Sequence, residues 1–354
     1  MSASKKVGII TLPGNFNYGN RLQNYAVVKI YEKLGFSAES LVLDDLKCLR
    51  AIKRSLFAIA DRNSNSNEDL MTKARLEAFD AFSDVTNPRV INKKRGVWIN
   101  EYAYFSVGSD QVWNPNYMGR KTGWYYLDFA EASKKIALAP SIGIDSLTVG
   151  QARTLAEGVG SFPRVSVREQ RGADLIKKCS GIDATVICDP TLVLSSAEWR
   201  LVADDRCTPE EPYVFTYLLG GVGTEAAVVL DKVTDHGRIP VVPLSDRQKS
   251  DEPDAGPAEF IDLIEHATHV VTDSFHAAVF SSILHTPLTI VHREGGASMF
   301  SRLEQLSQML GIEGKVYGST AYDLALAGVY EGVDAAIGRE RDKFMAYLNG
   351  CLDG

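Results

Sequence analysis

The sequence predicts an α/β protein of two Rossmann-like domains facing a cleft, on three observations. Short β-branched runs alternate with helix-period segments along most of the chain. The alternation breaks once, at Thr208-Pro209-Glu210-Glu211-Pro212, and then restarts. The length, 354 residues, exceeds the usual size of one hydrophobic core. The expected units are residues 1–207, residues 208–330 and a last helical segment, 331–354. Val333, Ile337, Phe344 and Leu348 give that segment an apolar face for packing back on the first domain. No internal repeat is present.

In the first domain, residues 7–12 read as a buried strand ending in Pro13-Gly14-Asn15-Phe16-Asn17-Tyr18-Gly19-Asn20. A helix follows over 21–34, with Leu22, Tyr25, Ala26 and Ile30 on one face and Gly35 as its stop. Strand, Gly/Asn turn and helix can aim backbone N–H groups at an anion, or can be a tight turn with no ligand. Gly14 and Gly19 have P-loop spacing, but Asn20-Arg21 stands where Lys-Ser/Thr is required, and G-x-G-x-x-G is absent.

Residues 41–43 read as a second strand. Lys47, Arg50, Lys53, Arg54 and Arg62 then surround Leu49, Ile52, Leu56 and Ile59 at helical spacing. Such a helix is a solvated surface element or a contact for an anionic membrane. A polar loop at 63–67 precedes a helix over 70–82. Residues 104–114 read as a strand running into a polar turn, which puts Asp110 at the sheet edge, beside the first turn if the sheet is parallel, as a base, a sugar-hydroxyl acceptor or a turn cap. Strands at 136–139 and 165–169 follow, the second ending in Arg168, with a helix over 170–178. An arginine leaving a buried strand needs an anion, either a ligand or a structural acid such as Glu169. Val186 to Cys188, before Asp189-Pro190, closes the alternation.

The second domain reads as strand 213–218, Gly220-Gly221-Val222-Gly223, a helix from Thr224, strand 239–243 and helix 257–265. Strand 269–272, helix 275–284 and strand 288–291 complete it. The junction Thr272-Asp273-Ser274-Phe275-His276 places Ser274 and His276 at the carboxyl edge of a parallel sheet, where open α/β sheets bind ligands. Asp273 and Ser274 suit an N-cap, and His276 is either a packed first-turn histidine or a functional one.

Composition narrows the field. Hydrophobic residues at 45% and charged residues at 23% are ordinary for a soluble globular protein. A formal net charge of −7 argues against a nucleic-acid binder. Five dispersed cysteines without a C-x-x-C pair suggest reduced thiols and a cytoplasmic setting. No apolar run approaches the roughly 20 residues that cross a bilayer, and residues 7–12 are too short for a signal peptide. All six histidines lie in the second half, without metal-ligand spacing. There is no G-x-S-x-G elbow and no D-x-D. What remains is a set of candidate anion-binding devices: the first turn, Arg168, the helix start at Ser274, His292-Arg293 and Ser301-Arg302. They suit a small phosphorylated, carboxylated substrate, or are solvated loop polarity.

Several stretches occur in an order that resembles the polysaccharide pyruvyl transferase family. They are Asn15 to Tyr25 (N-x-N-Y-G-N-x-L-Q-x-Y), Val107 to Asn114 (VGSDQVWN), Val165 to Glu169 (VSVRE) and Asp189-Pro190-Thr191-Leu192. Gly256 to Phe260, Val271 to His276 (VTDSFH), Phe280-Ser281 and Ser301-Arg302-Leu303 continue the series, spanning residues 7–312. One departure is Ala277-Ala278, where the family usually reads Gly-Thr after D-S-F-H. The resemblance implies a GT-B-like fold and transfer of the enolpyruvyl carbons of phosphoenolpyruvate onto two sugar hydroxyls, forming a pyruvate ketal and releasing phosphate. Phosphoenolpyruvate enters as co-substrate, with no cofactor and no metal. The acceptor is a glycan or a lipid- or nucleotide-linked precursor in polysaccharide and cell-envelope synthesis, and a lipid-linked one would make the basic helix a peripheral membrane contact. The implied catalytic set is His276 as general acid/base, Arg168 as anion clamp and Asp110. Ser274, Arg293, Ser301 and Arg302 would bind the donor in the second domain. Asn17, Gly19, Asn20, Gln23 and Ser109 would bind the acceptor in the first. Two other readings remain: a GT-B glycosyltransferase using a nucleotide sugar, and a non-catalytic glycan- or anion-binding relative.

Overall fold

The computed structural model describes residues 4–12, 17–44, 71–92, 96–246, 248–293 and 300–353. The basic segment 47–62 and residues 13–16 of the first turn lie outside the described residues. The first half contains strands β1 (Lys6–Ile10), β2 (Ser37–Leu43), β3 (Pro88–Ile91), β4 (Tyr104–Val107) and β5 (Lys135–Ala137), and a small pair, β6 (Ser166–Val167) and β7 (Thr185–Val186). Its longer helices are α1 (Tyr18–Lys33), α2 (Lys73–Asp84), α3 (Val149–Val159) and α4 (Gln170–Ser180). The second half contains β8 (Val214–Tyr217), β9 (Val241–Leu244), β10 (His269–Thr272) and β11 (Leu288–Ile290). Around them lie α5 (Thr224–Val233), α6 (Pro257–Glu265), α7 (Phe275–Leu284), α8 (Ser301–Leu310) and α9 (Val333–Leu352).

Both large sheets are parallel, with strand orders β3-β2-β1-β4-β5 and β11-β10-β8-β9. In the first, β1 pairs with β2 through Val7↔Ala38 and with β4 through Val7↔Tyr104. Val7, Ile9 and Ile10 are fully buried, as a central strand covered on both faces requires. The chain leaves β1 to one side and returns at β4 on the other, so the crevice beyond their carboxyl ends is a topological switch point. The second sheet has the same arrangement between β8 and β10. The α/β class with two Rossmann-like sheets is thus present.

Several expected elements shift. The helix expected over 21–34 begins at Tyr18 because the Asn17 side chain accepts the Asn20 N–H at 2.9 Å and caps it. Gly19 and Asn20 are therefore first-turn helical residues and not loop. Helix α1 is buried on nearly all sides, not on one face, because it lies between the two halves. Tyr18 stacks on Phe260 at 4.7 Å and donates to the Ala255 carbonyl at 2.9 Å. The edge strand β3 has no counterpart in the sequence reading; its Pro88 and Arg89 dilute the apolar signal. The strand expected over 165–169 is only Ser166–Val167, so Arg168 stands in the turn beyond it.

Polar contacts join the halves on the α2 side. Arg75 and Glu252 form an ion pair at 3.0 Å with side chains 0% and 1% exposed, and the Gln248 side chain accepts the Thr72 N–H at 2.9 Å. Helix α9 reaches the first sheet: Tyr347 donates to the Ala137 carbonyl at 2.9 Å, and Tyr104 donates to the Leu352 carbonyl at 2.9 Å.

Candidate functional site

Both switch points open toward one cleft. On the first-half side, the turn after β4 is built tightly. A Cβ on Gly108 would lie 2.1 Å from the Leu138 carbonyl oxygen, and φ there is +121°, so only glycine fits. The next turn residue, Asp110, has φ +59°, a region aspartate tolerates better than most residues. Asn20 donates to the Asp110 carboxylate at 3.1 Å, and Gln23 accepts the Ser109 N–H at 2.9 Å. Helix α1 thereby aims Asp110 at the cleft.

On the second-half side, Thr272 ends β10 and Ser274 occupies the N-cap position of α7 without a side-chain cap bond. Asp273 turns away from its own helix. Its carboxylate accepts from Leu219 N–H at 2.7 Å and Gly220 N–H at 2.9 Å, and pairs with Arg293 at 3.0 Å. The glycine-rich turn after β8 is therefore anchored by Asp273 and is not itself open to a ligand at those groups. His276, in the first turn of α7, crosses to the first half.

There it meets Asp189, a carboxylate fully enclosed between β7 and the following turn. Asp189 Oδ2 lies 2.6 Å from Arg168 Nη1, 3.4 Å from Ser109 Oγ and 3.6 Å from His276 Nε2; Oδ1 accepts from Thr191 N–H at 3.0 Å and from Thr191 Oγ at 2.7 Å. Burial alone would raise this carboxyl's pKa, but His276 and Arg168 outweigh it and hold the pKa well below the carboxylate range. Arg168 is enclosed as well, stacks on Phe275 at 4.8 Å and lies 4.0 Å from Asp110 Oδ1. Its guanidinium remains charged despite burial because Asp189, Asp110 and Glu169 surround it.

The opposite edge of the His276 ring rests on Gly19. A Cβ there would fall 1.9 Å from His276 Nδ1. Gly19 is thus required by a close approach between the halves and not by backbone conformation. Gly19→Ala is expected to push the imidazole off Asp189 and cut turnover by at least about tenfold, in keeping with the sensitivity of catalysis to 1 Å displacements. Circular dichroism should stay native; an unchanged rate would show that His276 position is unimportant.

Of the residues singled out from the sequence, Asn17, Gly19, Asp110, Ser274, His276, Arg293 and Arg302 line the cleft together. Asn20, Gln23 and Ser109 stand behind Asp110 as supports. Arg168 lies behind His276 and lines a smaller adjoining cavity. Ser301 is exposed at the start of α8 and is not among the lining residues. Arg302 shares both cavities, and burial, with Arg168 second, pushes its pKa down to about 10. Ala277 and Ala278 are fully buried in the core and do not line the cleft. Gln111, Tyr217 and Leu219 also line the cleft without having been expected to. Asp189 is the main addition: the sequence places it after a strand, before Pro190 and within the Asp189-Pro190-Thr191-Leu192 stretch, with no role at the site. Among the described residues no group of three or more His, Cys, Asp or Glu is placed to hold a metal. No described helix is long and apolar enough to cross a membrane.

Paired parallel sheets with their carboxyl edges turned toward one cleft, and arginines and a histidine at those edges, define a two-domain α/β protein. Residues 17–292 match the family model described as polysaccharide pyruvyl transferase, and the chain belongs to that family. It is accordingly a glycan-modifying transferase of polysaccharide biosynthesis. Among solved structures the chain is similar to UDP-GlcNAc 2-epimerase from Neisseria meningitidis bound to UDP-GlcNAc, at 10% identity and TM-score 0.48, covering 98% of this chain and 100% of that one. The glycosyltransferase SnogD from Streptomyces nogalater aligns at 11% identity and TM-score 0.40, covering 99% and 98%. The E. coli ADP-heptose LPS heptosyltransferase II aligns at 13% identity and TM-score 0.38, covering 98% and 99%. No curated protein matches the chain.

Proposed function

We propose that this protein transfers the enolpyruvyl unit of phosphoenolpyruvate onto two hydroxyls of one sugar, giving a cyclic pyruvate ketal and inorganic phosphate. The observation that carries this reading is the placement of His276 against Asp189 in a cleft that also holds Arg293, Arg302 and Asp110. The donor bears a carboxylate and a phosphate, which suit arginines on the second-half wall. His276 delivers a proton to C3, turning the methylene into a methyl and leaving C2 oxocarbenium-like. One sugar hydroxyl adds to C2 and gives its proton to Asp110. The C2–O bond to phosphate then breaks with its electron pair, and the second hydroxyl takes the vacated position. Of the two hydroxyl protons released, one replaces the proton spent on C3 and the other leaves with phosphate. Arg168 holds Asp189 against the His276 ring through its Nη1. Phosphoenolpyruvate is a co-substrate, and the scheme calls on no cofactor.

Calorimetric titration with phosphoenolpyruvate is expected to show saturable binding, and a panel of sugar acceptors should release phosphate in proportion to ketal formed. No binding with acceptors present, or turnover of a nucleotide sugar without phosphoenolpyruvate, would overturn the reading.

A further inference from the structure

Two arginines that line one small cavity come from opposite halves of the molecule. Arg168 stands in the turn after β6, and Arg302 in the first turn of α8. The rest of the cavity wall includes Phe275, Leu306 and Met309 on the apolar side and the carboxylate-bearing Glu169 and Asp189 on the polar side. Arg168 is 4% exposed, and its Nε and Nη2 make no hydrogen bond. Like charges repel strongly where water is scarce, and the depressed basicity of Arg302 carries that repulsion as its second cause after burial. The carboxylates of Asp189, Asp110 and Glu169 offset part of that repulsion, and a contact that fixes α8 against the Arg168 turn holds the guanidinium groups together.

Gln305 makes that contact. It follows Arg302 by one turn on α8, and its amide bridges the main chain on both sides of Glu169. Its Oε1 accepts the Gln170 N–H at 3.0 Å, and its Nε2 donates to the Arg168 carbonyl at 3.2 Å. Both ends of one side chain grip backbone, so they fix where the turn lies relative to α8, and hence where Arg168 lies relative to Arg302. We propose that Gln305 is a positioning residue that latches the two halves so that Arg168 and Arg302 converge on one anionic group of the substrate. Only the identity of that anion rests on the pyruvyl-transfer reading.

The test measures calorimetric binding of inorganic phosphate to the full chain, beside the kcat and KM for phosphoenolpyruvate, in Gln305→Leu and Gln305→Glu. Leucine keeps the bulk and removes both bonds. Phosphate affinity is expected to fall by about tenfold, and KM to rise by a similar factor with a smaller change in kcat. The melting temperature should move little. A purely structural role would lower the melting temperature and leave phosphate binding as in the wild type, which would overturn the proposal. Glutamate keeps an acceptor for the Gln170 N–H but loses the donor and adds a negative charge beside both arginines. It should bind phosphate more weakly still, and wild-type affinity there would also overturn the proposal. A wild-type protein that binds phosphate but never consumes phosphoenolpyruvate would fail the pyruvyl-transfer reading and leave the Gln305 comparison decisive. One that binds no phosphate would overturn the convergence itself.

Discussion

His276→Gln is expected to slow phosphate release from phosphoenolpyruvate by roughly 10²–10⁴-fold, the range a positioned acid or base contributes. Glutamine matches much of the imidazole's bulk and can still meet Asp189, but it cannot exchange a proton near neutral pH. The surroundings favour a clean loss of chemistry over a loss of fold. His276 is only 8% exposed, and it sits in a gap bounded by Gly19 on one edge and Asp189 on the other. The helix that carries it is anchored by Val279 and Phe280, both fully buried. Phosphoenolpyruvate should still bind calorimetrically, because the cleft arginines are untouched. Wild-type turnover in a variant with native circular dichroism would remove His276 from the mechanism.

Much of this cleft was legible in the sequence because its parts are local. The run Val270-Val271-Thr272 followed by Asp273-Ser274 specifies a buried strand and a helix start, and the structure has β10 and α7 there. The same holds for the turn after β4, where an apolar strand runs into Gly108 and the polar Ser109-Asp110-Gln111. The relations between those parts were not legible. Gly19 reads as turn glycine until His276, 257 positions later in the chain, is seen against it. Asp189 precedes a proline just past a strand, and nothing local marks it as part of the site. Its role appears only when β7 pairs with β6 through Val167↔Val186, which brings it beside Arg168. Arg168 needs an anion, and the sequence offers its neighbour Glu169 as a structural acid. Glu169 instead accepts from Ser141 Oγ at 3.1 Å and from Ile142 and Gly143 N–H at 2.8 and 3.2 Å, and lies 4.0 Å from the guanidinium. Periodicity reports one apolar face, whereas a helix that lies between the two halves, as α1 does, also buries its polar residues.

Asp189→Asn is expected to cost about 3–5 kcal/mol of folding stability, the usual consequence of leaving a buried charge without its partner. The amide can keep a carbonyl oxygen toward Thr191, so the turn survives. It cannot offset the Arg168 guanidinium, whose side chain is 3% exposed. The effect has a pH signature. The Asp189 pKa is held below its unfolded value in the native state, so its stabilisation is fully present above an unfolded pKa of about 3.9 and is lost as pH falls toward the lower folded value. Urea denaturation of wild type and variant should therefore differ most at neutral pH and converge below about pH 4. A constant gap across that range would mean that packing, and not charge, is what the carboxylate supplies. The double variant Asp189→Leu with Arg168→Met separates stability from chemistry, since apolar replacement of a whole buried ion pair is often neutral or stabilising. Most of the lost stability should return, while turnover, which Asp189→Asn also lowers by removing the carboxylate that faces the His276 ring, should stay low. Recovery of turnover along with stability would reduce Asp189 to a countercharge for Arg168.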